Sequence, residues 1–329
     1  MPMQKICPYF KICGGCLYQD LPDADYAVQK ENFVRRAFAD RGIEIPLSSL
    51  VRLPIGTRRR ACFAFHRGHV GFNAYQSHKI IDIDACPMLT PALSRLILPV
   101  REFVKKHLDG TGDIFVLDTP FGHDIHIKRG TGMPDISLLE ALADFGHQNP
   151  VARLLFNNQP VLETTRLPFP PDVFLQPSQI GEDTLVRLML KHVGKVQKAV
   201  DLFCGTGTFT KPLLAAGIKT TGYDSDERSV RCLGANGIVR DLFRTPLLPD
   251  ELAGVDLAVI DPPRAGAAAQ VEQLAQTNIP VIILISCNPA TAARDSKTLL
   301  NAGWALTAAT PVDQFTYSNH IELVCVFQK

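Results

Sequence analysis

The chain predicts an α/β fold, a mostly parallel sheet covered on both faces and preceded by a smaller β-rich region. Three features carry this expectation. From Ile180 onward, strands rich in Val and Ile alternate with helical segments, the pattern of a parallel sheet buried on both sides. Two of those strands stop at polar, turn-forming residues, Asp261-Pro262-Pro263-Arg264 and Ser286-Cys287-Asn288-Pro289, as α/β enzymes do at the carboxyl edge of the sheet. The last two β segments, 305–311 and 321–328, have no helix between them, so the parallel sheet closes on an antiparallel pair.

In chain order, a cysteine-bearing loop leads into a helix at 26–39, whose apolar residues recur at helical spacing and which Gly42 ends. Short strands follow at 60–66, 70–73, 80–83, 114–118, 124–128 and 153–157. A helix at 93–107 interrupts them, and a second falls around 138–145. Pro160, Pro168, Pro170 and Pro171 mark a junction. Beyond it come helix 181–192, strand 199–203, helix 209–216, strand 220–223, helix 227–236 and a short strand near 238–240. Strand 257–260, helix 267–276, strand 281–285 and helix 290–302 complete the alternation. The expected division is 1–49 for the loop and first helix, 50–160 for the β-rich domain and 161–329 for the α/β domain.

With 329 residues, 46% hydrophobic and 20% charged, the chain has material for two ordered cores. Lys and Arg number 34 against 33 Asp and Glu, so any surface for a polyanion must be local. The compact basic cluster is Arg58, Arg59 and Arg60, with Arg52 and Arg67 nearby; its other reading is a solvated charged face. The first residues hold no apolar leader and no later run reaches membrane-spanning length. A cytoplasmic monomer with reduced thiols and no membrane partner is therefore expected.

Nine cysteines then need a purpose other than disulfides. Cys7, Cys13 and Cys16 follow a Cys-x5-Cys-x2-Cys spacing around Gly14 and Gly15, and Cys86 precedes Pro87 much later. A glycine-bearing loop can aim neighbouring sulfurs at one centre, and a remote fourth ligand would staple the amino terminus to the domain behind it. Four-cysteine zinc sites usually bring two short Cys-x2-Cys knuckles, and here there is one, which favours a [4Fe–4S] cluster. Cys62, Cys232 and Cys325 lie in apolar stretches and read as buried small hydrophobes.

Strand 199–203 runs into Phe203-Cys204-Gly205-Thr206-Gly207, a turn whose glycines let a ligand approach the start of a helix. Asp224 ends the next strand, 19 positions after Gly205, placed to accept hydrogen bonds from ribose hydroxyls. NAD and S-adenosylmethionine both suit this arrangement. Phe209 stands close to where a third fingerprint glycine would fall, which favours S-adenosylmethionine, a cofactor without phosphates. Asp241 suits either an adenine contact or a cap. At the next edge, a thiol beside an acidic strand end marks Cys287 as a covalent nucleophile, exposed by its Asn-Pro turn; the bland alternative is a structural thiol.

Taken together, Cys7/Cys13/Cys16/Cys86, Phe203-Cys204-Gly205, Asp261-Pro262-Pro263-Arg264, Ser286-Cys287-Asn288-Pro289 and His320-Ile321-Glu322 resemble the RNA uracil-C5 methyltransferases. The resemblance runs in order from residue 7 to residue 328. The glycine turn is a weak marker, whereas the Cys-Asn-Pro turn joined to the cysteine cluster is specific. The resemblance implies a class I (Rossmann-like) methyltransferase sheet with an N-terminal iron–sulfur loop and a mixed β-rich domain. It also implies methylation of uridine C5 in RNA, 23S ribosomal RNA ahead of transfer RNA, with S-adenosylmethionine and a [4Fe–4S] cluster as cofactors.

The chemistry is consistent with those residues. Uracil C5 is a poor nucleophile until a thiolate adds to C6, after which a base must remove the C5 proton. The resemblance implies Cys287 as nucleophile and Glu322 as base, Asp261 as an acid near cofactor and base, and Gln176 and Phe203 as cofactor contacts. Arg264 would steer the target, and His320 would position a loop. The bland alternatives are a surface carboxylate for Glu322 and a rigid turn for Pro262-Pro263. The family commonly has Glu where Asp224 stands, and Phe-Pro with a threonine where this chain has Phe315, Thr316 and Ser318. No basic barrel precedes Cys7, so RNA capture is expected from the β-rich domain with Arg58–Arg60 and from base flipping. Competing readings are an amino-group methyltransferase, for which Arg264 replaces the expected aromatic ring, and a non-catalytic iron–sulfur RNA-binding protein.

Overall fold

A computed structural model of the chain describes residues 6–130 and 133–329; residues 1–5, part of the segment read as lacking an apolar leader, lie outside the described residues. The first part of the chain forms α1 (Asp23–Ala39), β1 (Val51–Arg52), β2 (Arg60–His66), β3 (His69–Asn73), β4 (Ile80–Asp82), α2 (Pro91–His107), β5 (Thr111–Thr119), β6 (Gly122–Lys128), α3 (Ile136–Gln148), β7 (Val151–Phe156) and β8 (Gln159–Glu163). The second part forms α4 (Gln179–Lys191), β9 (Lys198–Leu202), α5 (Thr210–Ala215), β10 (Lys219–Asp224), α6 (Glu227–Val230), β11 (Gly237–Val239), β12 (Leu257–Ile260), α7 (Ala268–Ala275), β13 (Val281–Ser286), α8 (Pro289–Asn301), β14 (Ala305–Asp313) and β15 (Glu322–Gln328).

β2 shows why the smaller sheet is one-sided. Ala61, Phe63 and Phe65 point inward while Cys62 and His66 point out, the period of two that a half-buried strand requires. The inward row packs on Leu93, Leu96, Ile97 and Val100 of α2. That helix starts cleanly because Pro91 sits in its first turn and Thr90 Oγ1 accepts from Leu93 N at 3.2 Å. The sheet runs β4-β3-β2-β5-β6-β7-β8, antiparallel except at β6–β7. The segment at Pro160, expected as a junction, is instead the edge strand β8, where a missing backbone N–H costs no ladder bond. Cys62 is exposed rather than buried, a consequence of the strand's alternation.

The larger sheet has the order β1-β14-β15-β13-β12-β9-β10-β11, with antiparallel β15 inserted between β13 and β14. This is the expected parallel sheet with its antiparallel closure. Two-residue β1 extends the far edge, pairing in parallel with β14, an addition too short for periodicity to reveal. Along β12 alternate residues feed two cores: Ala258 and Ile260 face α7 and α8, while Leu257 and Val259 face α4 and α5. Val34 and Phe38 of α1 join the first of these, so the amino-terminal helix packs on the larger sheet's core beside α8. Full burial of a side chain such as Phe38 contributes about 2–3 kcal/mol.

The helix expected over 227–236 breaks after Val230 into a 3-10 stretch, where Gly234 takes φ +55°. This break leaves Cys232 only half-buried, against expectation, whereas Cys325 is buried within β15. Among the described residues no helix is long and apolar enough to cross a membrane.

Candidate active site

The carboxyl ends of β9, β10, β12 and β13 converge on one edge. β9 ends at Leu202, and Phe203 turns the chain with φ +64°. At Gly205, φ is +53° and an added Cβ would meet nothing within 4 Å, so glycine is required there by backbone conformation beside an open space. Gly207 is also held by packing, since its Cβ would fall 2.3 Å from Leu233 Cδ2. Asp224 accepts from Gly205 N and from Asp226 N, both at 2.9 Å, which fixes its carboxylate against the turn. Each carboxylate oxygen keeps lone pairs for a further donor.

Asp261 follows β12, and its backbone N–H donates to Leu202 O at 3.2 Å. Its Oδ2 accepts from Gln176 Nε2 at 3.1 Å. Gln176, on the segment that joins the two sheets, also accepts from Gln314 Nε2 at 3.1 Å. Expected residues Phe203, Gly205, Asp224, Gln176 and Asp261 are therefore brought together at this edge of the sheet. Asp241 accepts from Phe243 N and Arg244 N, capping its own turn, while the preceding Arg240 N donates to Asp224 O at 2.8 Å.

Strand register brings the reactive groups together. β13 pairs antiparallel with β15, and Ser286 lies opposite Leu323. Cys287 directly follows β13 and Glu322 opens the neighbouring antiparallel strand β15, which brings the carboxyl near enough to act on the thiol. Cys287 is half-buried, reachable from solvent, while Glu322 is only 4% exposed. Burial pushes the Cys287 thiol up to about 11, the nearby carboxyls of Glu322 and Asp261 add to this, and Arg264 opposes them. Burial alone raises Glu322 to about 7. Asp261 is also raised well above the ordinary range, by burial first and then by Glu322 and Asp201. A thiol, a near-neutral buried carboxyl and a second acid thus share one electrostatic environment, which suits nucleophilic addition followed by proton removal.

Cys7, Cys13, Cys16 and Cys86 all border one cavity of about 310 Å³, which Arg58 also faces. Among the described residues no three Cys, His, Asp or Glu side chains close around a point as ligands of a single metal ion. Burial pushes Cys16 up to about 12 and raises Cys13 and Cys86, so ligation there would have to displace protons.

The arginine cluster is not a solvated face. Arg59 pairs with Glu182 at 2.7 Å, donates to Gln176 O at 2.9 Å and reaches Gln179, so it ties the smaller sheet to the start of α4. Arg60 donates to Leu175 O at 2.8 Å and covers the Phe174 ring at 4.7 Å. Arg58 lies 5.9 Å from the Phe315 ring centroid. Arg58, Arg60, Phe115, Phe169, Phe174 and Phe315 line a groove of about 290 Å³ between the sheets, a surface able to stack bases.

Two features escape sequence reasoning. Asp201 is fully buried beneath the turn, accepts from Thr210 Oγ1 at 2.6 Å and is raised to about 7 by burial. An acid inside an apolar strand was its only signal. Gln314 has none, because its partner Gln176 lies 138 residues away.

Residues 250–329 match the family model described as tRNA (Uracil-5-)-methyltransferase. An uncharacterized RNA methyltransferase of Brucella suis biovar 1 (strain 1330) is 35% identical over 349 aligned positions, covering 98% of this chain and 84% of that protein. The 23S rRNA (uracil(1939)-C(5))-methyltransferase RlmD of Tolumonas auensis is 30% identical, covering 99% of this chain and 82% of that protein. The solved tRNA (uracil-54, C5)-methyltransferase of Pyrococcus abyssi, in complex with S-adenosyl-L-homocysteine, superposes with a TM-score of 0.73 at 23% identity. That superposition covers 96% of this chain and 86% of the other, and it shows that the folds agree.

Proposed function

We propose how this site works from one premise: the chain belongs to the RNA uracil-C5 methyltransferase family. It transfers a methyl group from S-adenosylmethionine to C5 of a uridine in RNA. The observation that supports the residue assignment is the antiparallel β13–β15 pairing, which ends with Ser286 opposite Leu323 just before Cys287 and Glu322, together with the influence of Glu322 and Asp261 on the Cys287 thiol.

S-adenosylmethionine supplies an electrophilic methyl on a sulfonium; Gln176, Phe203, Gly205, Asp224 and Asp261 would hold it. Cys287 loses its proton to solvent and bonds to C6 of a flipped-out uracil; the C5–C6 π pair forms a C4–C5 double bond and the C4 carbonyl pair moves onto O4 as an enolate. The C4–C5 pair then attacks the methyl carbon as the O4 carbonyl re-forms, and S-adenosylhomocysteine would leave. Glu322 removes the C5 proton, the C5–C6 double bond returns, and the C6–S bond breaks to release the thiolate. A carboxyl raised to about 7 is well matched to accepting a proton at neutral pH. Arg58, Arg60 and the aromatic rings of the groove would receive the RNA around the flipped nucleotide.

The proposed target is 23S ribosomal RNA, in line with the named activity of the Tolumonas relative over nearly the whole chain. Transfer RNA is the alternative, in line with the description of the family model for residues 250–329. Mapping 5-methyluridine in both RNAs from a deletion strain decides between them. RNA carrying 5-fluorouridine should form a covalent adduct that Cys287→Ala abolishes; normal methyl transfer by that variant would overturn the mechanism.

Cys7, Cys13, Cys16 and Cys86 would hold a [4Fe–4S] cluster that cross-links the amino-terminal loop to the smaller sheet, with Arg58 offsetting its negative charge. Anaerobically purified protein should be brown, with iron and sulfide in equal amounts. A colourless preparation with stoichiometric zinc would refute the cluster.

A further inference from the structure

We infer that Tyr26 and Lys30 of α1, with Asp313, form a positioning device that holds the Glu322-bearing loop in register with Cys287. The inference rests on the reading of Glu322 as the base.

Tyr26 and Lys30 are one helical turn apart on the same face of α1, and both are fully buried. A buried lysine is tolerated only where its charge and its donors are met. Among the described residues its ion-pair and hydrogen-bond partners lie at the end of β14 and in the connection to β15. Its ammonium faces Asp313 Oδ1 at 2.8 Å, donates to Phe315 O at 3.3 Å and donates to His320 O. One ion pair at the end of β14 and two hydrogen bonds, one near the start of the loop and one at its end two residues before Glu322, thus meet the ammonium. The ammonium draws the loop's ends together.

Tyr26 works on the middle of the same loop. Its hydroxyl donates to Asp313 Oδ2 at 2.5 Å and accepts from Tyr317 N at 2.7 Å. Tyr317 has φ +62°, an unfavourable conformation for a side-chain-bearing residue that must be held by its surroundings. Its carbonyl in turn accepts from Leu17 N at 2.7 Å and Tyr18 N at 3.2 Å, next to Cys16. Tyr26, Met88 and Tyr317 form a small buried cluster against Cys16 and Cys86. Residues 314–321 contain no proline, so these bonds, with Ser318 Oγ donating to Phe315 O at 2.8 Å, set the loop's path.

An apolar side chain in place of Lys30 could pack as well; it could not fix the two ends of the loop. Proton removal is the step that uses Glu322, and it depends on placement to within about 1 Å. Loosening the loop should therefore slow release of the methylated RNA more than formation of the covalent adduct.

The test uses full-length protein, S-adenosylmethionine and a uridine-containing RNA transcript of the mapped target. Tyr26→Phe removes one oxygen and keeps the ring. It should lower turnover about tenfold, leave KM for S-adenosylmethionine within about twofold, and raise the methylated enzyme–RNA adduct seen on a denaturing gel. Lys30→Met should show the same signature more strongly; if it fails to fold, Tyr26→Phe carries the test alone. A fall in turnover without added adduct, or unchanged turnover in Tyr26→Phe, overturns the inference. Glu322→Gln separates the two readings. Adduct accumulation in that variant but not in the others sinks the positioning role alone, while normal turnover by it sinks the base assignment.

Discussion

Two buried carboxyl groups flank the loop between β14 and β15, and they are treated in opposite ways. Asp313 is met by the Lys30 ammonium and the Tyr26 hydroxyl. Glu322, whose register partner is Val312, the neighbour of Asp313, has no ion pair among the described residues and is raised to about 7 by burial. A buried carboxylate met by an ion pair and a hydroxyl donor can serve to hold structure. An uncompensated one stays protonated until the pH nears its raised value, and so can exchange a proton at neutral pH. The same hairpin therefore carries an anchor on one strand and a titratable group on the other.

The contrast can be broken most severely at Cys287, the proposed nucleophile. Cys287→Ala should reduce turnover by more than about 10³-fold and abolish trapping by 5-fluorouridine RNA, measured by single-turnover methyl transfer and gel shift. Glu322→Gln should lower turnover by about 10²- to 10³-fold. Its effect on stability should have the opposite sign. A carboxyl raised from 4.5 to about 7 keeps its proton in the folded state after the unfolded chain has released it, so stability falls as pH rises through that window. Removing the charge should therefore stabilise the protein at pH of about 8 by up to about 3 kcal/mol in urea titration.

Lys30→Met tests the compensated partner and should instead destabilise by about 3–5 kcal/mol, since it strands Asp313. Replacing both groups, Lys30→Met with Asp313→Leu, should recover much of that loss without restoring turnover. The pH profile sharpens the comparison further: turnover should rise through pH of about 7 and fall about tenfold per unit below it, as Glu322 becomes protonated. The smallest effect is expected at the groove. Arg60→Gln should weaken RNA binding a few-fold and lower the slope of log K against log salt by about 1.

Much of the site was legible because strand ends are local events. Cys287 and Asp261 each follow an apolar run that stops at polar turn formers, Asp224 ends the strand after the glycine turn, and a parallel sheet aligns such ends on one edge. The antiparallel closure was equally plain from two β segments without a helix between them. Arg59 was not legible: three adjacent arginines signal exposure, yet Arg59 is spent on Glu182, Gln179 and Gln176 across the junction of the two sheets. Nor was Cys62, whose direction depends on which face of β2 meets α2.

The strand–helix alternation, the glycine turn, the thiol at a strand end and the spacing of four cysteines follow from short-range pattern, since backbone preference and hydrophobic period act over a few residues. Which carboxyl would be neutralised and which left to titrate was decided only by folding. Lys30 and Asp313 are separated by 283 positions along the chain and meet because α1 packs beside α8 on the larger sheet. Charge compensation depends on distance through space, and the chain's local rules do not encode it.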